Sequence, residues 1–262
     1  MYLQSLKLTL RLYPYVLLVI VFHLVFGVFS DVILSKGNLS QYQILVDIGN
    51  LGEGLGTPVS FILKELLAFF ACVLILKISF LDYQSKVRRF AVFAIVALAL
   101  NILADLPWNI FRMFEYFTPV DPQAIPADNW VVSIITYVGL FNYLFGALVY
   151  SLLGTMLVAV AATGMLRPAA AYQRGKSTFW FVFMRLAIGP GMLIILASLI
   201  QSGFYLGIVD QYGLAFTSIL GRLVQLIDQT IQYFITSWIL VMSVWIFSKA
   251  YIITTTQPDE TA

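Results

Sequence analysis

Apolar residues along this chain fall into six long stretches, at about 15–34, 58–79, 90–111, 130–165, 180–206 and 215–247, separated by polar or proline-rich segments. At about 1.5 Å of rise per residue, each stretch can cross roughly 30 Å of hydrocarbon as a helix. The pattern therefore predicts an all-α integral membrane protein: a bundle of six transmembrane helices in a single polytopic domain spanning residues 1–262. The last stretch is the most informative. On a helical projection Ser218, Gly221, Arg222, Gln225, Asp228, Gln229, Gln232, Thr236 and Ser243 share one arc of an otherwise apolar helix. A polar stripe in a membrane helix must face protein, water or substrate, because an unpaired polar group in hydrocarbon costs several kcal/mol.

The segments between the stretches carry their own signals. In MYLQSLKLTLRLY, Leu3, Leu6, Leu10 and Tyr13 share one helical face and Gln4, Lys7 and Arg11 another. This predicts an N-terminal interfacial amphipathic helix, with Pro14 marking the bend into the first span. Residues 35–57 read as a polar loop with Gly49, Gly52, Gly54 and Gly56, and Thr57 and Pro58 as the N-cap and first residue of the second span. The run GEGLG has no preceding strand and no following Lys-Ser/Thr pair, so it is no phosphate loop. Pro107 is expected to kink or end the third span, and Pro119, Pro122 and Pro126 mark a loop. Gly189-Pro190-Gly191 predicts a kink in the fifth.

Ala147, Ser151, Thr155, Ala159 and Thr163 recur every four residues along the fourth stretch. Such a small-residue ridge lets another helix approach closely where lipid supplies no hydrophobic drive between helices. Two basic turns flank the third and fifth stretches. One holds Lys86, Arg88 and Arg89, the other Arg174 and Lys176. Tyr83-Gln84 with Lys86, Phe90 and Phe93 parallels Tyr172-Gln173 with Lys176, Phe179 and Phe183, as a duplicated hairpin or coincidence among interface residues would produce.

Composition agrees with the pattern: 61% hydrophobic and 11% charged residues over 262 positions, with a mean hydropathy of +0.92. Soluble domains have about 45–50% apolar and about 25% charged residues. The net charge of +2 and pI near 8.6 do not indicate nucleic acid, because the charges are sorted by side. With both termini cytoplasmic, that face holds Lys7, Arg11, Lys77, Lys86, Arg88, Arg89, Arg167, Arg174, Lys176, Arg185 and Lys249, while Lys36, Lys64, Arg112 and Arg222 lie opposite. The positive-inside rule favours that orientation, in a bacterial-type plasma (inner) membrane.

Orientation assigns depth. Counting about 20 residues outward from Lys249 brings Asp228 and Gln229 near the outer interface and Arg222 beyond it. Asp105 and Arg112 in the third span, and Lys64 and Glu65 in the second, fall at a similar level. Lys64, Glu65, Asp105, Arg112, Arg222, Asp228 and Gln229 are accordingly expected to form an outer polar cluster, since charges at that depth are cheapest when paired or wet.

Catalytic and metal chemistry finds little support in these residues. A single histidine, His23, rules out His-Glu-x-x-His zinc sites and paired haem ligation, and reads as a packed or hydrogen-bonded residue. A Ser-His pair would have to use it, and the nucleophile-elbow pattern is absent. Aspartyl chemistry would need Asp105 to meet Asp228 or Glu65 without any flanking signature. The lone Cys72 permits no internal disulfide. No cofactor and no metal is expected. The expected partners are the lipid bilayer and other membrane protein subunits, with no nucleic acid. Two functions remain ahead of an intramembrane enzyme: a non-catalytic integral subunit that packs into or helps assemble a larger membrane complex, and a transporter or permease component with an outward-facing polar substrate site.

Overall fold

The computed structural model describes residues 1–35, 43–79, 83–117, 130–204 and 219–256. Their regular structure is entirely helical: α1 (Tyr2–Arg11), α2 (Tyr13–Ser35), α3 (Gln43–Leu76), α4 (Tyr83–Ala104), α5 (Leu106–Phe117), α6 (Trp130–Leu153), α7 (Thr155–Thr163), α8 (Pro168–Ser177), α9 (Phe179–Phe204) and α10 (Ile219–Thr256). Five segments are each long and apolar enough to cross a membrane: Pro58–Leu76, Gln84–Ala104, Tyr137–Thr163, Phe179–Ile200 and Leu226–Thr256. A sixth crossing results if α1 and the Tyr13–Val25 part of α2, bent by 78° at their junction, count as one broken span. The described residues are thus those of an all-helical integral membrane protein, with five to six potential spans among them.

Several local expectations change. Residues 43–57 continue α3 as helix, so the segment read as a loop is helical from Gln43 and Pro58 lies inside the helix rather than at its start. Glycine weakens a helix by only about 1 kcal/mol per residue and does not forbid it. The second basic turn contains α8, which has Pro168 at its start, three alanines behind it and Arg174 and Lys176 in its last turn, where cations meet the helix dipole favourably. Tyr83 opens the continuous α4, whereas Tyr172 lies inside the short α8, so the two similar stretches fold differently. The N-terminal bend falls at Leu12 (φ −90°, ψ 17°), with Pro14 following it in the first turn of α2. In the third span the break is at Asp105, two residues ahead of Pro107. The expected loop at 118–129 lies outside the described residues.

Two compact units emerge, and the chain passes between them after α3, within α9 and within α10. The first comprises Met1–Lys77 and Ile188–Trp245. Its core is built from α2 and α3, where Val16, Val19, Leu67, Phe69, Ala71 and Cys72 are buried and Tyr15 stacks on Phe70 at 4.5 Å. Helix α1 has three faces rather than two. Leu3 and Leu10 are exposed, as are Lys7 and Arg11, while Ser5 and Thr9 are buried. The Trp238 indole N–H donates to Ser5 Oγ at 2.9 Å, and the Thr9 hydroxyl returns to the Ser5 carbonyl. Small hydroxyl side chains here let a tryptophan reach the helix and give its N–H a partner.

The second unit comprises Ile78–Ala187 and the chain from Ile246 onward. Most of the Tyr137–Thr163 segment is buried, which makes it the inner segment of this unit. Ala147, Ser151, Thr155 and Ala159 are all buried, whereas Thr163 at the helix end is exposed. Close approach is concentrated at two glycines. A methyl group on Gly154 would meet the Tyr150 carbonyl and the Phe247 ring, and one on Gly175 would coincide with the backbone of Leu152. Arg89 ends α7: its Nη1 donates to the Ala162 carbonyl at 2.7 Å, beside Gly164 in the left-handed conformation (φ 73°). This basic side chain therefore has a structural use.

Proline kinks leave carbonyls unpaired, and side chains supply donors. Pro190 has no N–H for the Leu186 carbonyl four residues earlier. The Tyr143 hydroxyl donates to that carbonyl at 2.9 Å. Tyr143→Phe should cost about 1 kcal/mol of stability in an otherwise unchanged chain. In a Pro190→Ala background the backbone N–H returns, and the same change should cost close to nothing. Thermal unfolding of the two single variants and the double variant checks this, and equal losses in both backgrounds would remove the explanation.

Candidate functional site

Among the residues expected to form the outer polar cluster, four belong to the first unit with described side chains. Glu65 and Asp228 are buried, and Lys64 and Gln229 are half-buried. The side chains of Arg112 and Arg222 lie outside the described residues. Asp105 belongs to the second unit, where it is exposed and accepts a hydrogen bond from Asn142 Nδ2 at 3.2 Å. The same Asn142 side chain accepts from the Trp108 backbone N–H at 3.2 Å, bridging the break in the span. One turn before Asp105, Asn101 Oδ1 accepts from the Tyr150 hydroxyl at 2.6 Å. Asp105 and Asn101 thus belong to a polar seam between α4 and α6.

The first unit assembles a group that the sequence does not suggest. His23 of α2 lies within hydrogen-bond distance of Ser60 of α3: its Nε2 is 2.7 Å from Ser60 Oγ, and its Nδ1 is 2.7 Å from the Val19 carbonyl. A carbonyl can only accept, so Nδ1 carries the proton of the neutral ring and Nε2 accepts from the Ser60 hydroxyl. The Tyr233 ring of α10 lies against the imidazole at 4.3 Å between centroids. Lys64, one turn after Ser60 on α3, lies within electrostatic reach of both His23 and Glu65. Further along α10, Gln232 Nε2 donates to the Ala197 carbonyl of α9 at 3.0 Å and to Asp228 Oδ1 at 3.4 Å. The α10 stripe thus divides: Asp228 and Gln232 face protein, whereas Thr236 is exposed and bonds back to the Gln232 carbonyl.

No family model, curated protein or solved structure matches this chain. Function therefore rests on the chemistry of the residues themselves. The His23–Ser60 pair has one property of particular use inside a membrane. Ser60 can donate to a neutral imidazole or accept from a protonated one, while the Val19 carbonyl accepts from Nδ1–H in either state. The ring can gain or lose a proton without losing either hydrogen bond. Among the described residues, no group of three or more His, Cys, Asp or Glu side chains is placed to hold a metal ion.

In the basic turns, Arg88 and Lys176 are exposed, Lys86 is half-buried, and Arg89 is engaged with α7 as described. Arg174 lies over the Tyr251 ring with 5.3 Å from its guanidinium carbon to the centroid. The sequence missed His23–Ser60 and Asn142 because each requires knowing the register between two helices. The sequence signal for His23 was an ionisable residue within a span, read as packed or hydrogen-bonded; it is hydrogen-bonded, and only its partner Ser60 was not legible.

Proposed function

We propose that this chain is a permease-type component of a plasma membrane transport system, in which His23 and Ser60 couple proton binding to passage of a solute from the outer side. The observation that carries this reading is an imidazole within a potential membrane span whose two hydrogen bonds survive its protonation. It belongs to the same unit as the buried carboxylates Glu65 and Asp228. Ionisable groups in spanning segments are costly, and proton relays and substrate paths are common reasons to keep them. In this reading both termini are cytoplasmic, α1 lies along the inner interface with Leu3, Leu10 and Tyr13 in lipid, and Lys64, Glu65, Asp228 and Gln229 line the outward-facing site.

Purified protein in liposomes carrying a trapped pH-sensitive dye tests the proposal. An imposed proton gradient should drive uptake from a panel of labelled amino acids, sugars and organic anions. Ser60→Ala and His23→Ala should each lower that flux at least about tenfold, as expected when a positioned proton acceptor or its partner is removed. Ser60→Thr, which keeps the hydroxyl, should retain most of it. Gradient-independent flux, or equal flux in the wild type and Ser60→Ala, would sink the coupling.

A second reading, a non-catalytic integral subunit of a larger membrane complex, is favoured by α9. In the first unit its Ile188, Met192, Ile195 and Leu199 are exposed among the described residues. Mild-detergent purification that yields a monomer with no stoichiometric companion would count against it.

A further inference from the structure

The second unit contains a cation with two buried nitrogens that have no hydrogen-bond partner among the described residues. Arg174 Nε and Nη2 are shielded from solvent and have no hydrogen-bond partner among the described residues, and the same holds for Ser248 Oγ. Ser248 is fully buried on α10, and Tyr251, over which the Arg174 guanidinium lies, follows it by three residues on the same helical face. Nε and Nη2 form the side-on fork of a guanidinium, whose two parallel N–H groups match two oxygens of a carboxylate or phosphate. Burial lowers the proton affinity of this guanidinium, with Tyr251 acting in the opposite direction. A neutral guanidine is not accessible near neutral pH, so the charge remains and requires an anion or water.

Position points to the anion. Helix α8 is ten residues long and connects two segments of membrane-crossing length, Tyr137–Thr163 and Phe179–Ile200. It therefore belongs at a membrane face, at the level of lipid headgroups. Around Arg174 in sequence, Arg167 and Lys176 are exposed, and Tyr172 and Trp180 are 51% and 70% exposed, the aromatic and basic mixture of a membrane interface. Protein side chains cover the two nitrogens, and once these are displaced a phosphate group at headgroup depth has two oxygens for the fork and a third for the Ser248 hydroxyl.

We propose that Arg174 and Ser248 form a binding site for a phosphate group, supplied by an anionic phospholipid. The test uses full-length protein in mild detergent, titrated with phosphatidylglycerol, phosphatidylcholine or inorganic phosphate and followed by thermal unfolding and native mass spectrometry. Phosphatidylglycerol should stabilise the wild type and remain bound, with phosphatidylcholine and free phosphate much weaker. Arg174→Lys keeps a positive charge but loses the fork and should weaken phosphatidylglycerol binding about tenfold, the effect of losing one strong charge-assisted hydrogen bond. Lys176→Gln should change it less than about threefold, as expected for an exposed charge. If the Arg174 variants fail to accumulate, Ser248→Ala removes only a hydroxyl and should still weaken binding by about threefold.

Equal stabilisation by inorganic phosphate at matched concentration would leave the phosphate chemistry in place and overturn the lipid source. Binding unaffected by both Arg174→Lys and Ser248→Ala would overturn the site.

Discussion

Gly175→Ala is expected to lower the stability of the second unit more than any other single methyl addition described here. The added Cβ would coincide with the backbone of Leu152, atoms that no rotamer change can move. Relief requires α8 to withdraw from α6, breaking the contact over which Ala171 and Gly175 are buried. Overpacking in a close-packed interior costs about 1–3 kcal/mol, and a clash with backbone belongs at the upper end. For a chain of this size that corresponds to a loss of roughly 6–12 °C in Tm, read by thermal unfolding in mild detergent. Gly139→Ala, where a Cβ meets nothing within 4 Å, is the matched control and should be near neutral. A Gly175→Ala protein as stable as the control would show that the helices are not in this close contact.

The second large effect lies at Gly154 and Phe247, and here the expected result is a coupling. Gly154 has ordinary helical angles (φ −59°, ψ −28°), so its lack of a side chain serves space rather than conformation. A Cβ there would stand 2.7 Å from the Phe247 ring, which is itself 96% buried by its 4% exposure and stacked on Tyr150 at 5.8 Å. Gly154→Ala alone should destabilise by about 2 kcal/mol through overpacking. Phe247→Leu alone should cost about 1–2 kcal/mol by leaving space beside Tyr150. Together they should cost at least about 1 kcal/mol less than their sum, because each makes room for the other. Strict additivity would show that the ring and the glycine are not in contact.

The spans were legible because crossing a membrane requires long uninterrupted apolar runs, and these are visible in the sequence without knowing any contact. The four-residue spacing of Ala147, Ser151, Thr155 and Ala159 was legible for a related reason: one helix carries the whole signal. Other features depend on two helices at once. His23 meets Ser60 only in the register that α2 and α3 adopt, and Asp105 meets Asn142 only in that of α4 and α6. The sequence placed Asp105 by depth alone, and depth specifies a level in the membrane but no azimuth around a helix axis. Helix α8 was missed for a different reason. Its charges drew attention to membrane orientation, while Pro168 and the alanines after it signalled a helix start.

The docking of α1 sets a timetable for synthesis. Its hydrogen bonds run from Tyr2 to the Ile188 carbonyl and from Trp238 to Ser5, separations of 186 and 233 residues. At roughly 5–20 residues per second, the second of these contacts waits at least about 12–47 s after Ser5 is made, the time needed to synthesise Trp238. Through that interval Ser5 and Thr9 lack the tryptophan that later covers them, and the bilayer surface is the shelter our reading offers. Helix α1 is therefore made well before the residues of α9 and α10 that lock it in place.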